Sequence, residues 1–399
     1  MRSKTASVLV VYKEFPAPSI GHAGGKAVFR VMNALHQRGH RVSLVARVRQ
    51  EEEPLIEQVT PFCDRMYTVP HHQALSGPVP LAFLRSYLAL RRAAARALKE
   101  MQPDLIHIEV TQTAFCLLGL HHPFASFRPL DVNWFLLQQQ AAQMCGARRV
   151  FIQAASRLLR WIEPWLCRRY DLIATISEGD RRLLAPHCGT RPIVILPLSP
   201  SFAAGADVRP AVPTGPNVLF VGAMYRAYNV QGVQWFLDQV WPTVVDVIHQ
   251  ARFYVVGYNP PPEILDRHDG EHVFVVGFAE DLAPWYRAAA VSVSPLLVAG
   301  GLLQKIVDAL AMGTPVVATS VSNHGVGATA KEHLLLADDP ADFAAAIVRL
   351  LRDPAKRERL AQAGQQFVHE RYDLEEAIAR WEAVWLERAL SAKRRKDGE

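Results

Sequence analysis

Between Pro197 and Pro216 the chain reads PLSPSFAAGADVRPAVPTGP, and the same succession begins on either side of it: a short apolar strand, a glycine-bearing turn, a helix, another strand. This repeated alternation limits the fold more than any other feature. A strand, a helix and a second parallel strand bury both faces of a sheet, so the strands must be apolar throughout and the helices apolar on one side. The first copy opens with SVLVVY, passes through the loop KEFPAPSIGHAGGK into the helical pattern AVFRVMNALHQRG, and reaches HRVSLVAR after Gly39. Val28, Val31, Met32 and Leu35 share one helix face. The basic helix LRSYLALRRAAARALKEM, the strand PDLIHIE, a helical region from about Leu130 to Arg169 and the strand YDLIATIS continue the pattern.

The second copy runs through NVLFVGAMY, VQGVQWFLDQVWPTVVDVI, ARFYVVGYNP, HVFVVGFAED, LAPWYRAAA and VSVSPL to GGLLQKIVDALAMG and TPVVAT, and three helical patterns follow. The dense proline, glycine and alanine between the copies mark a linker. The expected organisation is α/β: residues 1–200 as one parallel-sheet domain, 201–216 as linker, 217–375 as a second domain, and 376–399 as a terminal helix with a basic tail. A chain of 399 residues has the length for two such domains.

In open parallel sheets ligands sit beyond the carboxyl ends of strands, so the strand-glycine-helix junctions are the candidate sites. At the first, Gly21 to Lys26, Gly24 and Gly25 permit close backbone approach, and the helix that follows offers free amides to an anion. It lacks the G-x-G-x-x-G spacing of a nicotinamide site, and HRVSLVAR ends without an acidic ribose ligand. At the second, Gly222 makes the turn and Arg226 is placed to pair with a diphosphate. At the third, Gly300 and Gly301 precede a helix carrying Lys305, a point charge for phosphate, and Asp308, one turn further in, which suits vicinal ribose hydroxyls. The competing reading of Asp308 is a helix-face acid paired with Lys305. Among histidines, His107 ends the strand LIHIE beside Glu109 and is a candidate acid or base, with a purely structural role as the alternative. No Ser-His-Asp order, H-E-x-x-H or phosphate-loop pattern is present, which argues against hydrolase, zinc-protease and kinase chemistry.

Taken together, VLFVGAMYRAYNVQGVQWFLDQVWP, FYVVGYNPPPEI, VFVVGFAEDLAPWYRAAAVSVSPL and GGLLQKIVDALAMGTPVVATSVSNHGV resemble the carboxyl-terminal domain of family-4 glycosyltransferases of the GT-B fold, in their bacterial exopolysaccharide branch. The amino-terminal half is similar through its glycine-rich loop, RGHRV, DLIHIE and RRYDLIATISEGDRRLL. The resemblance implies two Rossmann-like domains facing across a cleft, a carboxyl-terminal helix crossing back, and a nucleotide-diphosphate sugar such as a UDP- or GDP-sugar held mainly by the second domain. It implies glycosyl transfer with retention and no metal or other cofactor. In that family a Glu-x7-Glu motif supplies a ribose ligand and a donor-sugar contact. Its second acid falls on Asp308 and its first on Gly300, so one carboxylate is absent. Arg226 matches the diphosphate clamp, and Lys305 is the second positive charge.

The acceptor implied by the resemblance is a glycan or a lipid-linked sugar. The net charge of +6 is compatible with an anionic membrane surface, a phosphorylated substrate or nucleic acid. Arginine is dense along Leu84 to Lys99 and around Arg148 to Arg169; in the first, Leu84, Leu88 and Ala95 alternate with arginines in a pattern that suits lipid headgroups or an ordinary solvated helix face, whereas nothing resembles a nucleic-acid-binding module. Five dispersed cysteines without C-x-x-C spacing fit a reducing compartment, and the opening MRSKTASVLVVYKEF breaks off too soon for a signal peptide. The expected location is the cytoplasm, with contact at the inner membrane surface. The alternative to an enzyme is a degenerate GT-B protein that binds a sugar nucleotide or a partner without turnover, motivated by Gly300.

Overall fold

The computed structural model describes residues 5–20, 23–74, 79–122, 124–142, 144–202 and 208–396, so Gly21 and the middle of the linker lie outside the described residues. The chain forms two compact units: Met1–Phe135 with Gln153–Leu198 and Leu374–Glu399, and Leu136–Ile152 with Ser199–Asp373.

The first unit is built on seven strands: β1 (Ser7–Tyr12), β2 (Arg41–Val48), β3 (Arg65–Pro70), β4 (Leu105–Glu109), β5 (Ala125–Arg128), β6 (Leu172–Thr175) and β7 (Ile193–Ile195). They pair in parallel in the order β3-β2-β1-β4-β5-β6-β7. Every residue of β1 is buried, as a strand covered on both faces requires. Two apolar cores follow, one on each face. The first gathers Val8, Val10, Val28, Met32 and Leu35, and the helix Leu374–Lys396 adds Ile378, Trp381 and Trp385 to it. The second gathers Leu9, Val11, Ile106, Ile108, Leu90, Ala94 and Leu166. Glu382 ties the terminal helix down through Arg38 Nε at 2.5 Å and His40 Nε2 at 3.0 Å.

The second unit carries β8 (Asn217–Val221), β9 (Arg252–Val256), β10 (Val273–Gly277), β11 (Val291–Ser294), β12 (Val316–Ala318) and β13 (Leu335–Leu336). Their order is β10-β9-β8-β11-β12-β13, again parallel. Both sheets therefore have the doubly wound order, with its reversal between β1 and β4 in one and between β8 and β11 in the other. Ligand crevices open at those reversals.

Local departures from the sequence reading have local causes. The region from Leu130 to Arg169 is two helices, Asn133–Ala142 and Gly146–Cys167, separated where Gly146 takes φ of +63°. The strands β3, β5, β7 and β13 escape the periodicity argument because runs of six, four, three and two residues carry too little pattern.

Candidate active site

The crevice at the end of β8 and β11 is built from backbone proximity. Gly222 follows β8 and donates its amide to Val256 O at 3.0 Å, beside Gly257. A Cβ on Gly257 would lie 1.8 Å from Gly222 O, so the two chains touch where only glycine fits. Above Gly222 lies the ammonium of Lys305, on the helix Gln304–Ala311. A Cβ on Gly222 would stand 2.9 Å from Lys305 Nζ. That nitrogen donates to Asn229 Oδ1 at 2.8 Å and sits 4.0 Å from the centre of the Phe220 ring. Asn229 is buried and fixed in turn, donating Nδ2 to Ala223 O at 2.8 Å.

Burial, with Arg226 nearby as a second positive charge, lowers the Lys305 pKa to about 7. Lys305 is thus stripped of water and, among the described residues, has no carboxylate beside it, an arrangement that gains from an incoming anion. Arg226 is exposed at the start of the helix Ala227–Trp235 and donates Nη1 to Tyr228 Oη at 2.7 Å.

The loop after β11 is pinned from below by buried hydroxyls. Ser322 Oγ donates to Ser294 O at 2.9 Å, and Thr319 Oγ1 to Leu296 O at 2.7 Å. The loop ends at Gly300 and Gly301. Gly301 has φ of +62°, and its carbonyl oxygen would be 1.7 Å from a Cβ on Gly325. A Cβ on Gly300 would be 2.7 Å from Leu136 Cδ1. The space in which an acid at this position would begin is therefore filled by leucine.

Asp308 lies on the same helix as Lys305. It is 4% exposed, and its Oδ1 accepts from Ser201 N at 2.7 Å and from Gln304 Nε2 at 2.8 Å. Gln304 Nε2 also reaches Ser199 O at 3.0 Å. The carboxylate anchors the backbone that leads into the linker. The pairing with Lys305 is not formed either, since Lys305 turns to Asn229.

The remaining candidates belong to the first unit. Gly24 and Gly25 lie inside the first turn of the helix Ala23–Gln37, not in a loop before it. His107 is a correction. It is fully buried in the middle of β4, paired with Val10 and Ser126 on its neighbours, with Trp381 packed edge-on at 4.7 Å. Its Nε2 lies 3.0 Å from Glu109 Oε1, and Arg128 Nη2 lies 2.7 Å from the same oxygen. Burial opposes the Glu109 charge, yet Arg128 and His107 hold the carboxyl down at about 2. The ring is sealed beneath the terminal helix. Asn229 was the residue sequence reasoning missed, because an asparagine inside AYNVQG carries no spacing signal.

Among the described residues no group of three His, Cys, Asp or Glu side chains could hold a metal ion, and no helix is long and apolar enough to cross a membrane. Comparison with known proteins follows the two halves of the chain. Residues 24–198 match the family described as Glycosyltransferase Family 4, and residues 215–353 the one described as Glycosyl transferases group 1. The chain is 28% identical over 388 residues, 92% of its length and 97% of the other's, to an uncharacterised 44.6 kDa protein in the cps region of Klebsiella pneumoniae. Its structure is similar to sucrose-phosphate synthase from Thermosynechococcus elongatus, with a TM-score of 0.70, 18% identity and coverage of 97% and 100% of the two chains. HepE of Anabaena, solved in complex with UDP-glucose, gives a TM-score of 0.63 at 14% identity over 95% of this chain and 100% of that one.

Proposed function

The chain is a glycosyltransferase of the GT-B fold, with a family 4 amino-terminal half and a group 1 carboxyl-terminal half, and we propose that its donor is a nucleotide-diphosphate sugar bound at Gly222, Lys305 and Arg226. The observation that carries this reading is the ammonium of Lys305, held by Asn229 over Phe220 at the β8–β11 reversal with no carboxylate partner among the described residues. A diphosphate beside Gly222 brings the missing negative charge, and Arg226 closes on it from the exposed side. In the transfer step the bond from the anomeric carbon to the diphosphate oxygen breaks and charge grows on the leaving phosphate. Lys305 and Arg226 stabilise that charge where it develops. The acceptor oxygen bonds to the anomeric carbon on the face the diphosphate leaves, and its proton passes to the leaving phosphate oxygen, so retention follows without a protein nucleophile. The acceptor in this reading is a glycan or a lipid-linked sugar, and the similar protein of a cps region supports a role in bacterial exopolysaccharide synthesis.

Thermal-shift measurements with UDP, GDP and ADP test the donor site. At least one should stabilise the protein, and Lys305→Gln should remove most of the effect; a protein that none of the three stabilises would sink the reading.

Leu136 packed into the position of the absent acid favours a second reading, a sugar-nucleotide binder without turnover. Donor hydrolysis or transfer, measured on a protein already shown to bind the nucleotide, dismisses it.

A further inference from the structure

The outward side of the helix Gly146–Cys167 is apolar where a solvated helix is polar. Trp161 is 80% exposed and Leu158 61%, and Trp165 continues the same stripe along the helix. Their inner neighbours are firmly packed, with Leu166 and Cys167 in the core and Ser156 Oγ donating to Trp134 O at 2.7 Å. The stripe is therefore not a core face waiting for its own domain. Large exposed apolar stripes on folded proteins mark a partner.

Charge says which partner. Arg157, Arg160 and Arg168 are exposed between these apolar side chains, and Arg169 lies 4.5 Å over the Trp165 ring. The one acid of this helix, Glu163, is buried and turned inward, accepting from the side chain of Asn133 and from the amide of Trp134 at 3.1 Å. The exposed face so carries arginine and indole with no carboxylate. The helix Val79–Met101 packs against the same side of the sheet, through Leu90, Ala94 and Ala97 in one core with Leu166. Its outer side repeats the composition, with Leu84 54% and Leu88 43% exposed beside exposed Arg85 and Arg92. Two helices on one face of a sheet turn their outer sides the same way.

We propose that this face docks onto an anionic lipid bilayer. Indoles and leucines enter the headgroup region, and guanidinium groups pair with lipid phosphates at its edge. A protein partner would need a carboxylate to answer every arginine, whereas a bilayer of acidic lipids supplies anionic phosphates continuously. The inference stands on this surface alone and is independent of the donor chemistry.

Co-sedimentation of the full chain with vesicles decides it. The protein should bind vesicles containing phosphatidylglycerol, bind pure phosphatidylcholine vesicles far more weakly, and release at high salt. Leu158→Ser with Trp161→Ser, and separately Arg157→Glu with Arg160→Glu, should each weaken binding at least about tenfold while leaving the thermal midpoint unchanged. The second pair keeps the test open if the first fails to fold. Failure to bind acidic vesicles overturns the proposal, as does binding that neither pair weakens. Concentration-dependent dimers that Leu158→Ser with Trp161→Ser dissociates would overturn it too, and assign the stripe to a second copy of the chain.

Discussion

Lys305 concentrates the chemistry of the second unit in one proton. With its pKa near 7, it is largely neutral at mildly alkaline pH, and a diphosphate would draw the proton back. Nucleoside diphosphate binding above pH 7 should therefore take up a proton, visible by calorimetry in buffers of different ionisation enthalpy. Affinity should fall by about tenfold per pH unit as pH rises above 7, and Lys305→Gln should abolish this dependence while weakening binding about 10- to 100-fold. For folding the sign is opposite. The unfolded lysine keeps its proton up to about 10.5, so this group raises stability as pH climbs from 7 towards 10.5. Asp308 makes a different prediction, because its partners are backbone Ser201 and Gln304. Asp308→Ala should cost about 1–3 kcal/mol in denaturant unfolding by removing the acceptor of the Ser201 amide and the Gln304 side chain, and Asp308→Asn, which keeps an acceptor oxygen, should cost less. An Asp308→Ala protein of unchanged stability that no longer binds nucleotide would restore the ribose role.

At the scale of elements, the terminal helix Leu374–Lys396 is a structural part of the first unit. Trp381 and Trp385 are both fully buried, and Trp381 Nε1 donates to Ser126 Oγ at 2.9 Å. Trp381→Ala should destabilise the protein by about 3–5 kcal/mol, measured as a shift in denaturant midpoint. His107→Gln should alter stability and leave donor turnover at saturating substrate unchanged, because the ring lies beneath this helix. The last helical pattern, LEEAIARWEAVWLERAL, was legible in the sequence as an amphipathic helix, but what its apolar face covers was not. Likewise the glycines of AGGK read as a loop, and the structure continues the helix through them because glycine weakens a helix without forbidding it.

Across the whole molecule, two units with separate cores should melt as separable events. Differential scanning calorimetry should show a nucleotide raising only the transition of the unit that contains Ser199–Asp373, and Trp381→Ala lowering only the other. A single transition moved by both would refute independent melting. The alternation of strand, turn and helix determined the two parallel sheets, since local periodicity fixes which faces must be buried. The spacing of Gly222, Gly300, Gly301, Lys305 and Asp308 determined where a phosphate site had to be sought. Only the tertiary structure decided the contacts these residues make. It turned Lys305 to Asn229, Asp308 to the linker backbone, Leu136 against Gly300 and His107 under Trp381, because each contact joins residues far apart in sequence, where periodicity carries no information.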